Sequence, residues 1–362
     1  MTQVYIAGFG LVSHLGSNLK AAISNLQQPA IAQYRQIIGL EAPAPYFSIT
    51  TPSTSNWYAR CEMLIKLALS EAGVTNRQGT LYLASSSCNL GALEQGLHFA
   101  NSIPEFLTEL AQMLDWKGNV QWLNTACTSS LNALVAAQNA IENDLIEEAV
   151  ILGIELENQL SLAGFAGMQL LAAHTPKPFA KHRDGLVLGE AVAVLRLSKI
   201  PSRWRLCGGT QVIDSSQASG ASTSAYQQML TQALNQTQLN ASDIDLIKVQ
   251  AAGSPANDQI EAEALKTFFA DQQLPSLISL KSRLGHTLGA SGAAEIALLL
   301  AMIEQQQWLD VSLSDEELDP KIGINFSTQA PSAIRHLLVC NLGFGGSHSC
   351  ITLENREHKH EH

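Results

Sequence analysis

A cysteine at a strand-to-helix junction is the first candidate for covalent chemistry. Cys127 lies within residues 124–130, NTACTSS. Backbone N–H groups and the positive end of the following helix would stabilise a thiolate at this position and lower the pKa of the thiol. The same N–H groups could hold an oxyanion, so a thioester could form and collapse there. The alternative is a buried cysteine that caps a helix, which is the commoner fate of a lone cysteine.

A histidine at a tight glycine turn is the second candidate. Residues 281–287, KSRLGHT, place His286 directly after a glycine and before the small-residue run 288–295, LGASGAAE. Backbone held in this way suits a group that hydrogen-bonds to a substrate carbonyl. The alternative is a helix-capping histidine followed by small residues that permit close helix packing.

Two further motifs are weak evidence for a functional site when each is considered alone. Residues 341–347, NLGFGGS, form a glycine-rich turn with Phe344 at its apex, and residues 178–190, PFAKHRDGLVLGE, read as a polar turn followed by a strand. The simpler interpretation of the second stretch is a surface loop with a salt bridge. No Walker A lysine and serine or opening GxGxxG supports nucleotide binding, and six cysteines without CxxC spacing argue against a zinc site or a disulfide framework. We therefore expect no cofactor and no metal ion.

The elements that must position these residues alternate between strand and helix, which predicts an α/β fold with helices on the sheet faces. Strands are predicted at 4–9, 80–84, 120–123, 148–153, 245–250, 277–280, 334–340 and 349–353, and helices at 60–72, 128–143, 227–234, 258–269 and 292–304. In each half a strand enters a small-residue turn and then an apolar helix. The pattern predicts a duplicated domain, with an N-terminal half over 1–195 and a C-terminal half over 196–362 that share one core.

Charge and hydropathy narrow the function classes. Lys plus Arg is 21 and Asp plus Glu is 32, a formal net charge of −11. This field disfavours nucleic acid and anionic membranes, and it would repel an acidic carrier protein unless basic residues cluster locally. No apolar run approaches the roughly 18 residues of a membrane span, and no leader pattern precedes the first strand. We expect a cytoplasmic protein without a membrane span.

Together, in this order, the four motifs resemble the β-ketoacyl-acyl-carrier-protein synthases, the condensing enzymes of fatty acid and type II polyketide synthesis. The resemblance covers nearly the whole chain and includes the opening strand and turn 6–13, IAGFGLVS. It implies a thiolase-like fold, in which duplicated α/β halves form a five-layered α-β-α-β-α arrangement.

The resemblance also implies roles for individual residues. Cys127 corresponds to the nucleophile that takes the acyl chain from a carrier protein, His286 to a donor for the enolate oxygen formed when malonyl-carrier protein decarboxylates, and Lys281 to a residue that organises the site. Phe344, with Phe165, is expected to gate or line the acyl pocket.

One member of the family's catalytic set is missing. The first catalytic histidine normally stands in His-Gly-Thr-x-Thr, but residues 249–258 read VQAAGSPAND, with Ala252 at the histidine position. Asp258 follows after six positions where the family has eight, although Asp258 and Glu261 keep the acidic helix start. Loss of one preorganised donor to an oxyanion costs a factor of about 10² to 10³ in rate.

Three other histidines are candidates to replace the missing one: His174, His182 and His348. His348 follows the gating loop and is the most plausible of them, but a structural role is the simpler interpretation for each. Residues 357–362, EHKHEH, would bind metal only weakly and are expected to be a solvated end.

The leading hypothesis is a ketosynthase-like subunit, a chain length factor, that pairs with a complete ketosynthase in a heterodimer and shapes the acyl pocket. The overall pattern resembles the short ketosynthase-like subunit of aryl-polyene-type clusters. The alternatives are a condensing enzyme or acyltransferase in its own right, working with acyl carrier protein through Cys127 and His286, and a homodimeric scaffold without catalysis. Acyl transfer needs only a nucleophile and an oxyanion hole, so Ala252 does not forbid it.

Overall fold

A computed structural model describes residues 2–51, 56–97, 102–215 and 221–357, so the prediction for the end of the chain at 358–362 lies outside the described residues. The strands are β1 (Val4–Ser13), β2 (Gln33–Arg35), β3 (Ala44–Phe47), β4 (Thr80–Ala84), β5 (Val120–Leu123), β6 (Glu148–Glu155), β7 (Leu188–Gly189), β8 (Ala191–Ser198), β9 (Trp204–Ile213), β10 (Leu246–Lys248), β11 (Ser276–Ile278), β12 (His336–Gly343) and β13 (Ser347–Asn355). The helices are α1 (Leu19–Leu26), α2 (Trp57–Glu71), α3 (Leu90–Glu94), α4 (Ile103–Met113), α5 (Ser129–Glu142), α6 (Gln159–Gly167), α7 (Thr223–Thr237), α8 (Pro255–Phe268), α9 (Lys281–Leu284) and α10 (Ser291–Glu304).

Within the described residues, ten strands form one mixed sheet whose two halves repeat the same topology. The order is β11-β10-β12-β13-β9-β1-β8-β6-β4-β5, and β2-β3-β7 form a small second sheet. In the first half β4 and β6 are parallel while β6, β8 and β1 are antiparallel; β10, β12, β13 and β9 repeat this pattern in the second half. Val4–Ile6 pairs with the start of β9 and joins the halves.

Two helices lie between the halves of the sheet. α5 contacts β4 and β6 on one side and β9 and β13 on the other, and α10 contacts β6, β8 and β12. α10 is apolar on nearly every side, and every residue over 291–302 is buried, as expected for a helix with sheet on both faces. On the outside, α2 covers β1 and β8, and α7 covers β9 and β13. The expected five-layered α-β-α-β-α arrangement is confirmed, with the two sheets joined into one.

The predicted elements are present, with ends moved by a few residues. The helix predicted at 227–234 extends over Thr223–Thr237, and the strand predicted at 245–250 ends at Lys248. The boundary expected between residues 195 and 196 lies within β8. Since the repeat separates between β8 and β9, we propose residues 199–203 as the division between the halves.

The segment 178–190 is largely buried, and the charged side chains that are buried in it form ion pairs inside the fold. Arg183 is 9% exposed, and its Nη1 lies 2.6 Å from Asp319 Oδ2, so the surface loop is the wrong alternative although the salt bridge is present. Glu190 forms a bidentate pair with Arg60 at 2.6 and 2.7 Å and also accepts the N–H of Ile49. This pair ties α2 to the sheets. Among the described residues, no helix is long and apolar enough to cross a membrane.

Candidate active site

The backbone makes a strained elbow at the cysteine. β5 ends at Leu123 and α5 begins at Ser129, so Cys127 lies in the turn between them. Ala126 takes a left-handed φ of 52°, which is uncommon for a residue with a Cβ. Bonds between neighbouring residues hold this conformation: Thr125 N–H donates to Ser129 Oγ at 2.9 Å and Ser129 Oγ–H donates to the Ala126 carbonyl at 2.6 Å. The turn places Cys127 just before the N-terminus of α5.

The N-terminal ends of both central helices meet at this turn. The Ser130 hydroxyl donates to the carbonyl of Gly289, just before α10. A Cβ on Gly292 would lie 2.7 Å from Leu131 Cδ2, so the small-residue run permits the two helix ends to touch. Because each N-terminus carries partial positive charge, the junction favours an anion between them.

Burial dominates the acidity of the cysteine. Cys127 is 4% exposed, and burial raises the pKa of its thiol to about 11. Lys281 and the N–H groups of Phe344 and Cys127 itself act in the opposite direction. The lowered pKa expected from sequence is therefore wrong, because desolvation of the thiolate outweighs these donors. These N–H groups act on the thiol, and they could also receive an oxyanion.

The histidine is fixed by backbone on both sides. His286 N–H donates to the Val187 carbonyl at 2.8 Å, and the preceding Gly285 has φ of 77°, where a Cβ would lie 2.6 Å from Phe47 Cδ2. The Leu288 N–H donates to His286 Nδ1 at 3.2 Å, which assigns the proton to Nε2. Burial, with Lys281 and Lys248, holds the pKa of His286 well below 6.5. His286 is thus a neutral N–H donor, as the sequence interpretation requires.

The lysine sits in a buried charge cluster that contains a second lysine. Lys281 Nζ and Lys248 Nζ each pair with one carboxylate oxygen of Glu295, and all three side chains are at most 1% exposed. Burial opposes ionisation of Glu295, but the two ammoniums outweigh it and lower the pKa of that carboxyl. Burial also lowers the pKa of Lys281, and the charge of Lys248 adds to this effect.

Ala252 faces the same small cavity as the candidate nucleophile and donor. The cavity has a volume of about 30 Å³, and its lining includes Cys127, His286, Ala252, Phe165 and Phe344. The two phenylalanine rings stack with centroids 5.3 Å apart, and the Phe165 ring meets His286 edge-on at 6.4 Å. The structure therefore brings together every predicted site residue except Lys281, which lies behind the cavity in the charge cluster.

The loop that carries Ala252 is held by hydrogen bonds to two acidic side chains, although the histidine is absent. Asp258 accepts the N–H groups of Ala252 and Gly253 at 3.1 Å, and Glu261 accepts those of Gln250 and Ala251 at 2.8 and 2.7 Å. Burial raises the pKa of Asp258 to about 7, against the N–H bonds that it accepts. The acidic helix start thus holds the loop in place, and the cavity lacks a side-chain donor at Ala252.

None of the three alternative histidines lines this cavity. His174 and His182 are exposed, and His348 is buried with its Nδ1–H donating to the Gly346 carbonyl at 2.8 Å.

Three supporting residues escaped the sequence interpretation. Glu155 Oε1 accepts the Ser86 hydroxyl at 2.6 Å and the Gly289 N–H at 3.2 Å, which ties β6 to the turn after His286. Lys248 and Asn341 lie at or near the ends of apolar strands. A charged or amide residue within or directly after such a run was the available signal, because burial there requires a partner.

Comparison with known families agrees with this geometry. Residues 100–203 match the family model "Beta-ketoacyl synthase, N-terminal domain" and residues 209–312 match "Beta-ketoacyl synthase, C-terminal domain", together more than half of the chain. The chain belongs to the β-ketoacyl synthase family. It is 29% identical over 283 residues to a polyketide β-ketoacyl synthase of Streptomyces cyaneus, covering 72% of this chain and 67% of the relative.

Solved β-ketoacyl synthase structures share the fold. One is the ketosynthase ApeO in complex with its chain length factor ApeC from Xenorhabdus doucetiae, with a TM-score of 0.82, 21% identity and coverage of 98% of both chains. Another is the AntDE:AntF complex, a type II polyketide synthase acyl-carrier protein with its ketosynthase, with a TM-score of 0.81, 19% identity and coverage of 98% and 99%.

Proposed function

We propose that this β-ketoacyl synthase family member is a chain-length-factor-type partner of a complete ketosynthase in type II polyketide or fatty acid synthesis. The observation that carries the proposal is Ala252: it lies beside Cys127 and His286 in one cavity and leaves the decarboxylation site one donor short. Such a chain contributes pocket wall to an assembly whose chemistry is completed by its partner.

A strand edge supports assembly with another chain. β5 is the terminal strand of the ten-stranded sheet and, within the described residues, pairs only with β4. Its residues are partly or fully exposed and include Val120, Trp122 and Leu123. A strand edge that is left without a further strand in the described part of the chain, and that carries apolar side chains, is a ready site for pairing between chains. Cys127 follows this strand by four residues, so a partner bound here would lie next to the site. The proposal includes contact with acyl carrier protein and a cytoplasmic location, where these syntheses take place.

A second candidate function rests on the retained nucleophile. Two backbone N–H groups act on Cys127, and His286 keeps its Nε2–H. This set is sufficient for acyl transfer without decarboxylation, so an acyltransferase is the alternative. A self-sufficient condensing enzyme is the other, and it would have to decarboxylate its substrate with His286 as the remaining histidine donor.

Co-expression separates these functions. The chain is produced with a ketosynthase encoded nearby, and the mass of the assembly is measured. A one-to-one complex is expected, and it should also form with Cys127→Ala because assembly does not require the thiol. A stable homodimer that ignores the ketosynthase would refute the partner function.

Acyl labelling provides the second measurement. The isolated chain is incubated with acyl-carrier protein and analysed by intact-mass spectrometry, with Cys127→Ala as the control. Rapid, stoichiometric acylation that depends on Cys127 would favour the acyltransferase instead. Slow or absent acylation of the isolated chain is the result expected for a partner subunit.

A further inference from the structure

Lys248 is a fully buried ammonium that does not line the Cys127 cavity. It is the last residue of β10, is 0% exposed, and pairs with Glu295, which also pairs with Lys281. Two ammoniums therefore share one carboxylate in the buried interior. Burial of an incompletely compensated positive charge is expensive, so its presence calls for a compensating interaction.

A hydrogen-bonded path leads from this ammonium to the nucleophile. Lys248 Nζ donates to Asn341 Oδ1 at 2.6 Å, and Asn341 Nδ2 donates to the Cys127 carbonyl at 3.2 Å. Asn341 is also 0% exposed. Because Lys248 occupies the amide oxygen, the amide N–H group must point toward the Cys127 carbonyl. The bond fixes the backbone immediately after the strained Ala126.

We propose that Lys248 is a positioning residue of the Cys127 site: it orients Asn341 on the Cys127 carbonyl and supplies a second buried positive charge behind Lys281. The role rests on Cys127 as the nucleophile of the proposed function. It adds an electrostatic requirement, since a thiolate or an oxyanion formed at Cys127 would be the anion that offsets the extra ammonium.

Other charged and titratable groups also influence Cys127. The groups that line its cavity or act on its thiol are Lys281, Glu155, His286, Asp258 and Glu261, with Glu295 behind Lys281. Removal of Lys248 leaves all of these in place and pairs Glu295 with Lys281 alone. The buried cluster behind Lys281 then loses its excess positive charge, so near neutral pH the population of the Cys127 thiolate should fall.

The test measures the thiol directly and needs no carrier protein or partner. Alkylation of the full chain by iodoacetamide is followed at Cys127 by peptide mass spectrometry over a range of pH near neutrality. Lys248→Met removes the charge and the donor, Lys248→Gln keeps a donor for Asn341 without charge, and Asn341→Ala removes only the amide. Lys248→Met is expected to slow the reaction at Cys127 about tenfold, the equivalent of one pKa unit. The other two variants should give smaller losses.

Arg183→Met is the matched control, since it removes another buried paired cation that does not line the Cys127 cavity. It should lower the unfolding temperature and leave the pH profile of Cys127 unchanged. The proposal is overturned if folded Lys248→Met reacts at the wild-type rate, or if Arg183→Met slows Cys127 equally. If Lys248→Met does not fold, Lys248→Gln decides by the same criterion. The co-expression test of the proposed function does not depend on the outcome of this alkylation experiment.

Discussion

Restoring a histidine at position 252 tests whether one missing donor limits the chemistry of this site. The Ala252 N–H is held by Asp258 at 3.1 Å, so the backbone that would carry the new side chain is already fixed. The cavity in front of it has a volume of about 30 Å³, which is enough to hold a water molecule. An imidazole at position 252 would enter this narrow cavity, whose lining includes Phe165 and Phe344, so its neighbours would have to adjust to admit it.

Two magnitudes follow for Ala252→His. Overpacking of a filled core costs typically about 1 to 3 kcal/mol, so the free energy of unfolding should fall by that amount. A donor regained at a developing oxyanion should raise the rate of decarboxylation by about 10² to 10³. The gain in rate and the loss in stability are separate readouts of the same side chain.

The assay measures labelled carbon dioxide released from malonyl-carrier protein, with chemical denaturation in parallel. Ala252→Leu is the matched control, because it adds bulk to the same cavity without a hydrogen-bond donor. Ala252→His should release carbon dioxide at least a hundredfold faster than Ala252→Leu. Equal rates in two folded variants would refute the reasoning, because the missing donor would then not limit the step.

Three further predictions address the same framework. Phe344→Ala breaks the stack with Phe165, and alkylation of Cys127 by a bulky maleimide should accelerate severalfold; an unchanged rate would argue against a gating role. His286 is neutral in the fold but becomes protonated below about pH 6.5 in the unfolded chain, so the free energy of unfolding should fall as the pH drops from 6.5 to 5. Urea denaturation should show a fall that is about 2 kcal/mol larger in the wild type than in His286→Gln. Parallel pH curves would contradict the assignment. Arg60→Met leaves the buried Glu190 carboxylate without its cation and should cost about 3 to 5 kcal/mol in unfolding free energy, whereas Lys66→Met, which removes an exposed pair on the same helix, should cost less than about 1.

Sequence periodicity could predict most of the scaffold. Short apolar strands between glycine turns and the nearly all-apolar α10 are strong local signals, and they were found where expected. β9 was missed because Gly208 and Gly209 interrupt its alternation. A Cβ on Gly209 would lie 2.4 Å from Ile351 Cδ1, so a residue distant in sequence leaves no space for a side chain at this position. A local sequence pattern cannot show such a contact.

Part of the candidate site could likewise be predicted from the sequence, and part of it could not. Cys127 and His286 could be recognised because each stands in a local turn with a distinctive sequence. The acidity of Cys127 could not, because it depends on how far folding removes water from the thiol. Lys248 and Asn341 come from separate strands and meet only through the sheet, so their joint role required the three-dimensional arrangement.

The pairing of Val4–Ile6 with β9 has a mechanical consequence. Cys127 comes from one repeat and His286 from the other, and a hinge between the repeats would vary their separation. The continuous sheet and the helices clamped between its halves resist such a hinge. Selection of a substrate must therefore work through individual side chains, such as rotation of Phe344 or the size of residue 252. Divergence within this scaffold should accordingly proceed by single substitutions in the cavity wall, while the spacing between nucleophile and donor stays constant.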